Sequence, residues 1–160
     1  IRNGERQRLS IQSGNETHGN AGLEAFTWPY ALLRLRRALG TMWISHGLLK
    51  GLVFTLPGTV NFFESVGLPG FLVYPVVAAE IAGGIALVFG FYGRYVSLLL
   101  LPILLGAAWV HFPNGWVFTS SGGGWEYPVF LAVASAVPAL AGDGALAMRL
   151  PLLHLAPFPA

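Results

Sequence analysis

The chain has 160 residues, enough for one domain; 54% are hydrophobic and 10% are charged, against about 25% charged in an ordinary soluble domain. With a mean hydropathy of +0.62, this composition excludes a water-soluble globule with a polar shell and a disordered chain, and points to an integral membrane protein. Cysteine is absent, which excludes a disulfide, a thiolate zinc site and an iron–sulfur cluster, and the net charge of +2 is too small to argue for a nucleic-acid partner.

Residues 1–27 read as a polar tail with no apolar run of signal-peptide length. Asn15-Glu16-Thr17 matches a glycosylation sequon, which carries no meaning on a tail that the arginines, below, place in the cytoplasm. Four apolar runs follow, at about 38–56, 74–92, 95–112 and 127–141. A helix needs about 20 residues to cross a bilayer core. The first three fit; the fourth is short, with room to continue through Gly142-Asp143-Gly144 toward Arg149. Run length and the lack of alternation predict helices rather than strands. The expected fold is all-α: an integral membrane four-helix bundle over 28–144, between the tail and a C-terminal tail at 145–160.

Orientation follows from the arginines. Arg2, Arg6, Arg8, Arg34, Arg36 and Arg37 precede the first run, Arg94 joins the second to the third, and Arg149 follows the fourth. The connections 57–73 and 113–126 hold no Lys or Arg. The positive-inside rule then puts both termini in the cytoplasm and both long loops outside.

In the first outer loop Val60, Phe63 and Val66 recur at helical spacing opposite Asn61, Glu64 and Ser65, which predicts a short interfacial helix. Trp109, Trp116, Trp125 and Tyr127 form an outer aromatic belt, and Ser120-Ser121-Gly122-Gly123-Gly124 reads as a flexible turn, a plain connector in preference to a mobile lid. In the second run, Ala79 and Gly83, and Ala82, Ala86 and Gly90, make small-residue series, and the Gly83-Gly84 pair is expected against a neighbouring helix of the same bundle in preference to a dimer seam.

Two charges lie inside apolar runs. Lys50 is six residues from Leu56 and Glu80 six from Tyr74, so both sit ~9 Å below the outer boundary. Charges at that depth usually pair, which predicts a Lys50–Glu80 ion pair. A clip that fixes helix register and a proton or substrate site are both open at this point. His46 shares the face of Lys50 one turn deeper, His111 ends the third run, and Glu126 opens the fourth. Lys50, Glu80, His111 and Glu126 thus form a candidate catalytic cluster in the outer half, with no comparable group expected in the inner half. His46 and His111 differ in depth by ~13 Å, too much for one haem iron. No metal site is expected, and there is no Ser-His-Asp set, phosphate loop or nicotinamide fingerprint.

His46-Gly47-Leu48-Leu49-Lys50, Phe62-Phe63 with Gly67-Leu68-Pro69, Glu80-Ile81-Ala82-Gly83-Gly84 with Gly90 and Arg94, His111-Phe112-Pro113-Asn114-Gly115-Trp116, Gly124-Trp125-Glu126-Tyr127-Pro128 and Gly142-Asp143-Gly144 follow one another in an order that resembles the DoxX family of small four-helix membrane proteins. The usual Ser-Leu-Asp-like ending is replaced by Ala147-Met148-Arg149. The resemblance implies a bacterial inner-membrane protein, since some members look like subunits of thiosulfate:quinone oxidoreductases and others are tied to membrane redox or oxidative-stress assemblies. Carried over residue by residue, it picks out Lys50, Glu80, His111 and Glu126.

The expected function is a membrane subunit of a quinone-linked redox assembly. It has no covalently bound cofactor, a quinone as candidate ligand in a pocket of His46, Trp109, Trp116 and Trp125, and a partner subunit that carries the redox centre. The alternative is a structural or assembly subunit without catalysis. The lipid bilayer and other membrane proteins are the expected partners, and nucleic acid is not.

Overall fold

The computed structural model describes residues 2–148; the chain from Arg149 onward, including His154, lies outside the described residues. Every regular element among them is helical: α1 (Arg2–Leu48), a π-helical turn (Leu49–Val53), α2 (Leu56–Ser65), a 3₁₀ turn (Gly70–Leu72), α3 (Val73–Phe89), α4 (Gly93–His111), a 3₁₀ turn (Phe112–Asn114) and α5 (Glu126–Ala141).

Helices α3, α4 and α5 coincide closely with the last three apolar runs. Helix α3 stops at Phe89 because Gly90 adopts φ +81°, a left-handed conformation that closes the helix with a bond from its N–H to Ala86 O. Helix α5 ends at Ala141, followed by Gly142 at φ +96° and Gly144 at φ +70°, so the continuation toward Arg149 allowed by the sequence does not occur. Helix α1 differs most. It is helical from Arg2 rather than from about residue 38, with Pro29 inside it. Hydropathy marks where a helix becomes apolar, not where it begins, so the polar segment concealed the helical start.

Two stretches are long and apolar enough to cross a membrane: Gly70–Phe89, with a mean hydropathy of 2.0, and Gly93–Asn114, with 1.9. Only 22% and 17% of their apolar windows are buried. The core helix of a soluble protein would be mostly buried, whereas these present their apolar surface outward. Helix α5 is apolar but shorter.

The long helices close a ring of contacts, α1 on α3, α3 on α4, α4 on α5 and α5 on α1, the first and third being the most extensive. The interior stripe of α1 follows i, i+3, i+4 spacing through Leu32, Leu33, Arg36, Leu39, Gly40, Trp43 and Gly47. It crosses α3 backbone to backbone: a Cβ on Gly40 would lie 2.6 Å from Gly84 O, and one on Gly84 2.7 Å from Gly40 O. Gly83 meets Leu100 of α4 instead. The glycine pair therefore does pack against neighbours within the chain, and its unforeseen partner is Gly40. Trp43, Leu39, Leu87, Leu100, Leu104, Leu131 and Ala132 fill the core.

The helices have two distinct ends. The turn end carries the tight Gly90–Tyr92 connection and the segment after α5; the loop end carries α2 and the α4–α5 loop. At the turn end Ala145 N–H donates to Pro29 O, folding the chain after α5 against α1. Arg36 is fully buried there, 0% exposed, and its Nη2 donates to Ala145 O at 3.3 Å. Asp143 acts on it electrostatically and accepts the Arg94 N–H at 2.8 Å. Burial lowers the guanidinium pKa and Asp143 opposes that fall. The expectation that this half holds no comparable ionisable group is therefore corrected: Arg36 looked like a topology marker in the run Arg34-Leu35-Arg36-Arg37, but it occupies the interior stripe of α1.

Candidate functional site

At the loop end the regular helix of α1 gives way to the π-helical turn Leu49–Val53, which carries Lys50. Such turns widen the backbone and recur at functional positions. Lys50 Nζ donates to Glu80 Oε1 at 2.6 Å, so the ion pair expected from equal depth on antiparallel helices is present. The exposure is unequal: 22% for the Lys50 side chain and 2% for that of Glu80. Glu80 Oε2 is buried and has no hydrogen-bond partner.

The backbone around the pair is held by α2. Thr59 of α2 donates its hydroxyl to Lys50 O at 3.0 Å and to Thr55 O at 2.9 Å. Thr55 caps α2 by accepting the Gly58 N–H and takes φ 62°, ψ 151°, a region that β-branched residues rarely visit. Strain of this kind costs on the order of 1–3 kcal/mol and gathers where geometry is held for a purpose. Helix α2 itself half-buries Val60, Phe63 and Val66 and exposes Asn61, Glu64 and Ser65.

The other candidate residues go elsewhere. His46 stacks on Tyr127 of α5, with ring centroids 6.1 Å apart. His111 Nδ1 is 3.0 Å from Gly122 O, and Asn114 Nδ2 donates to Gly122 O and Gly123 O. Together with Trp125 N–H to Gly115 O and Glu126 N–H to Trp116 O, these bonds tie the glycine-rich segment down on both flanks. Glu126 starts α5, where a carboxylate favours the helix dipole.

Trp116 packs edge-on against Trp125 at 4.3 Å, and Phe112 lies 5.5 Å from Trp125. A hollow of about 530 Å³ is lined by Trp116, Phe118, Glu126, Tyr127 and Phe130, and a second, of about 350 Å³, by Trp109, Val110 and Phe112. Neither takes in Lys50, Glu80 or His111. Lys50 and Glu80 are thus joined, while His111 meets the glycine-rich segment, Glu126 lines the first hollow and Trp109 the second. No three His, Asp or Glu side chains among the described residues converge as metal ligands. Sequence reasoning missed Tyr127 as the partner of His46, Thr59 under Lys50, and Arg36. The i, i+3, i+4 stripe through Arg36, Gly40, Trp43 and Gly47 carried the signal for the last.

An all-helical chain with long apolar helices and a buried ion pair defines a class of small helical membrane proteins. Its particular family is DoxX: the family model matches residues 31–113, more than half of the chain, which therefore belongs to that family. It is 40% identical over 75 residues to CatD of Bacillus subtilis (strain 168), provisionally named an oxidoreductase; the match covers 47% of this chain and 54% of CatD. It is 35% identical over 57 residues to the inner membrane protein YqjF of Escherichia coli (strain K12), covering 36% of this chain and 44% of YqjF. The chain spans about half the length of these curated relatives. No solved structure gives a significant match.

Proposed function

We propose that the chain is a multi-pass protein of the bacterial inner membrane, a four-helix bundle with both termini in the cytoplasm and α2 in the outer interface, and that it serves as the membrane subunit of a quinone-linked redox assembly acting in sulfur or oxidative-stress chemistry. The observation that carries this reading is the pair at the loop end. Glu80, 2% exposed, gives one oxygen to Lys50 and keeps the other unpartnered. A register clip gains most when both carboxylate oxygens are satisfied. Here an acceptor, Glu80 Oε2, and the remaining ammonium protons of Lys50 stand at one point. That donor and acceptor set suits a quinone carbonyl on Lys50, the partly exposed member of the pair, with the buried Glu80 behind it as the group that holds the proton.

A bound quinone would supply the two-electron chemistry. The chain's own task is to hold charge at Lys50 and a proton at Glu80. With no cysteine in the chain, the partner subunit supplies any iron–sulfur centre. The name of CatD supports the redox reading and that of YqjF the location. The direct contact of Lys50 with a buried Glu80 also fits the second reading, a scaffold subunit whose ion pair fixes helix register.

Quinone-dependent turnover of the purified assembly separates the two. Lys50→Met and Glu80→Gln should abolish turnover while assembly is kept; normal turnover in normally assembled variants leaves the scaffold. For the orientation, a cysteine placed at Gly123 should label from outside the cell, and labelling from the cytoplasm alone overturns it.

A further inference from the structure

Helix α5 has two opposed faces. It buries Pro128, Leu131, Ala132 and Ser135 against the bundle, while Glu126, Val129, Phe130 and Val133 recur at three- and four-residue spacing on the other side. Phe130 and Val133 are exposed there, so this face looks out of the bundle. The hollow of about 530 Å³ opens on it, with Glu126 as the charged residue of its wall and Trp116, Phe118, Tyr127 and Phe130 as its rings. That volume falls within the range of small-molecule sites, about 300–1,000 Å³.

The wall is braced by residues that do not line it. Trp116 stands edge-on against Trp125, which in turn lies against Phe112. Tyr127 stacks on His46 of α1. Gly124 lets the two sides of the α4–α5 loop run close together, since a Cβ there would strike Val117 O and Trp116 O. Within the wall, Glu126 N–H donates to Trp116 O at 3.1 Å, which sets the carboxylate-bearing residue beside the indole-bearing one.

A carboxylate among aromatic rings selects the charge of what it meets. Ring faces attract a cation within about 6 Å of their centres, and a carboxylate balances its charge. The connections 57–73 and 113–126 hold Glu64 and Glu126 and no Lys or Arg, and Lys50 is engaged by Glu80. An anion or a zwitterionic head group would therefore bring a negative charge to a carboxylate with no loop cation to receive it. A bare ammonium or metal ion would lose its hydration against apolar walls, at a high cost. A cation whose charge is covered by alkyl or aryl groups loses little hydration and fills the space.

We propose that this hollow binds a lipophilic organic monocation, of the quaternary ammonium or phosphonium kind, that arrives sideways from the bilayer. Glu126 balances its charge, Trp116 and Tyr127 supply the π surface, and Phe118, Phe130 and Val133 cover its apolar groups. The site is separate from the Lys50–Glu80 pair, since neither of those residues lines the hollow.

The test uses the full chain in a maltoside detergent, whose head group is uncharged, with tetraphenylphosphonium as the probe and equilibrium dialysis as the measurement. The probe should bind saturably. Glu126→Gln should weaken it about tenfold and Trp116→Leu about three- to tenfold. Glu64→Gln, on α2 and outside the hollow, should leave it unchanged. Competition on the unaltered protein needs no variant: neutral triphenylphosphine oxide should displace the probe about tenfold less well than unlabelled tetraphenylphosphonium does. Absence of saturable binding overturns the proposal. Equal losses in Glu64→Gln and Glu126→Gln reduce the effect to diffuse surface charge and overturn it as well. Equal displacement by the neutral competitor leaves an apolar hollow blind to charge, and displacement by phosphatidylethanolamine as readily as by the unlabelled cation makes it a lipid head-group site. Either result overturns the monocation and leaves the Lys50–Glu80 reading untouched.

Discussion

Lys50 and Arg36 lie fourteen residues apart along one side of the chain, about 21 Å by the helical rise, and meet different surroundings. Lys50 keeps part of its side chain exposed and touches a carboxylate directly. Arg36 is wholly enclosed, donates to the carbonyl of Ala145, and feels Asp143 only through the field. A direct pair stakes everything on both members, since loss of either strands the other charge. A cation held by a carbonyl and a nearby carboxylate leaves a smaller debt when it is removed.

The largest expected effect is therefore at the loop end. Lys50→Met should lower stability by ~3–5 kcal/mol by leaving Glu80 buried and unpaired, while Lys50→Met with Glu80→Leu should recover most of the loss. Thermal unfolding in detergent measures both, and a double variant as weak as the single one would break the comparison. Next comes Gly90→Ala at the turn end. Its Cβ would collide with Arg36 Nη1 and stand at φ +81°, for ~1–3 kcal/mol of overpacking plus ~1–2 kcal/mol of left-handed strain. Arg36→Met should cost less, ~1.5–3 kcal/mol for one charge-assisted hydrogen bond. A loss equal to that of Lys50→Met would show that Asp143 is a full partner. Thr59→Val is the mildest, ~0.5–1.5 kcal/mol for the hydroxyl under Lys50, and the same melts should resolve it.

How much was legible divides along the same line. Helices α3, α4 and α5 were readable because their ends are written in the sequence: Gly90, Arg94, Pro113 and Gly142 punctuate continuous apolar runs. The Lys50–Glu80 pair was readable because counting residues from each boundary gives depth. The start of α1 was not, since a polar helix gives no hydropathy signal. Arg36 was not, because an arginine among arginines looks like a solvated flank until the interior stripe is traced. The destinations of His111 and Glu126 depend on how the α4–α5 loop folds back. That is set by hydrogen bonds to Gly122, Gly123 and Trp116 that no spacing rule supplies.

The backbone contact between Gly40 and Gly84 has a mechanical consequence. A Cβ at either glycine would run into the backbone oxygen of the facing helix, so only hydrogen at both positions lets α1 and α3 lie this close. The same two helices carry Lys50 and Glu80. The crossing therefore sets the spacing at which an ammonium and a carboxylate, each on its own helix, can meet.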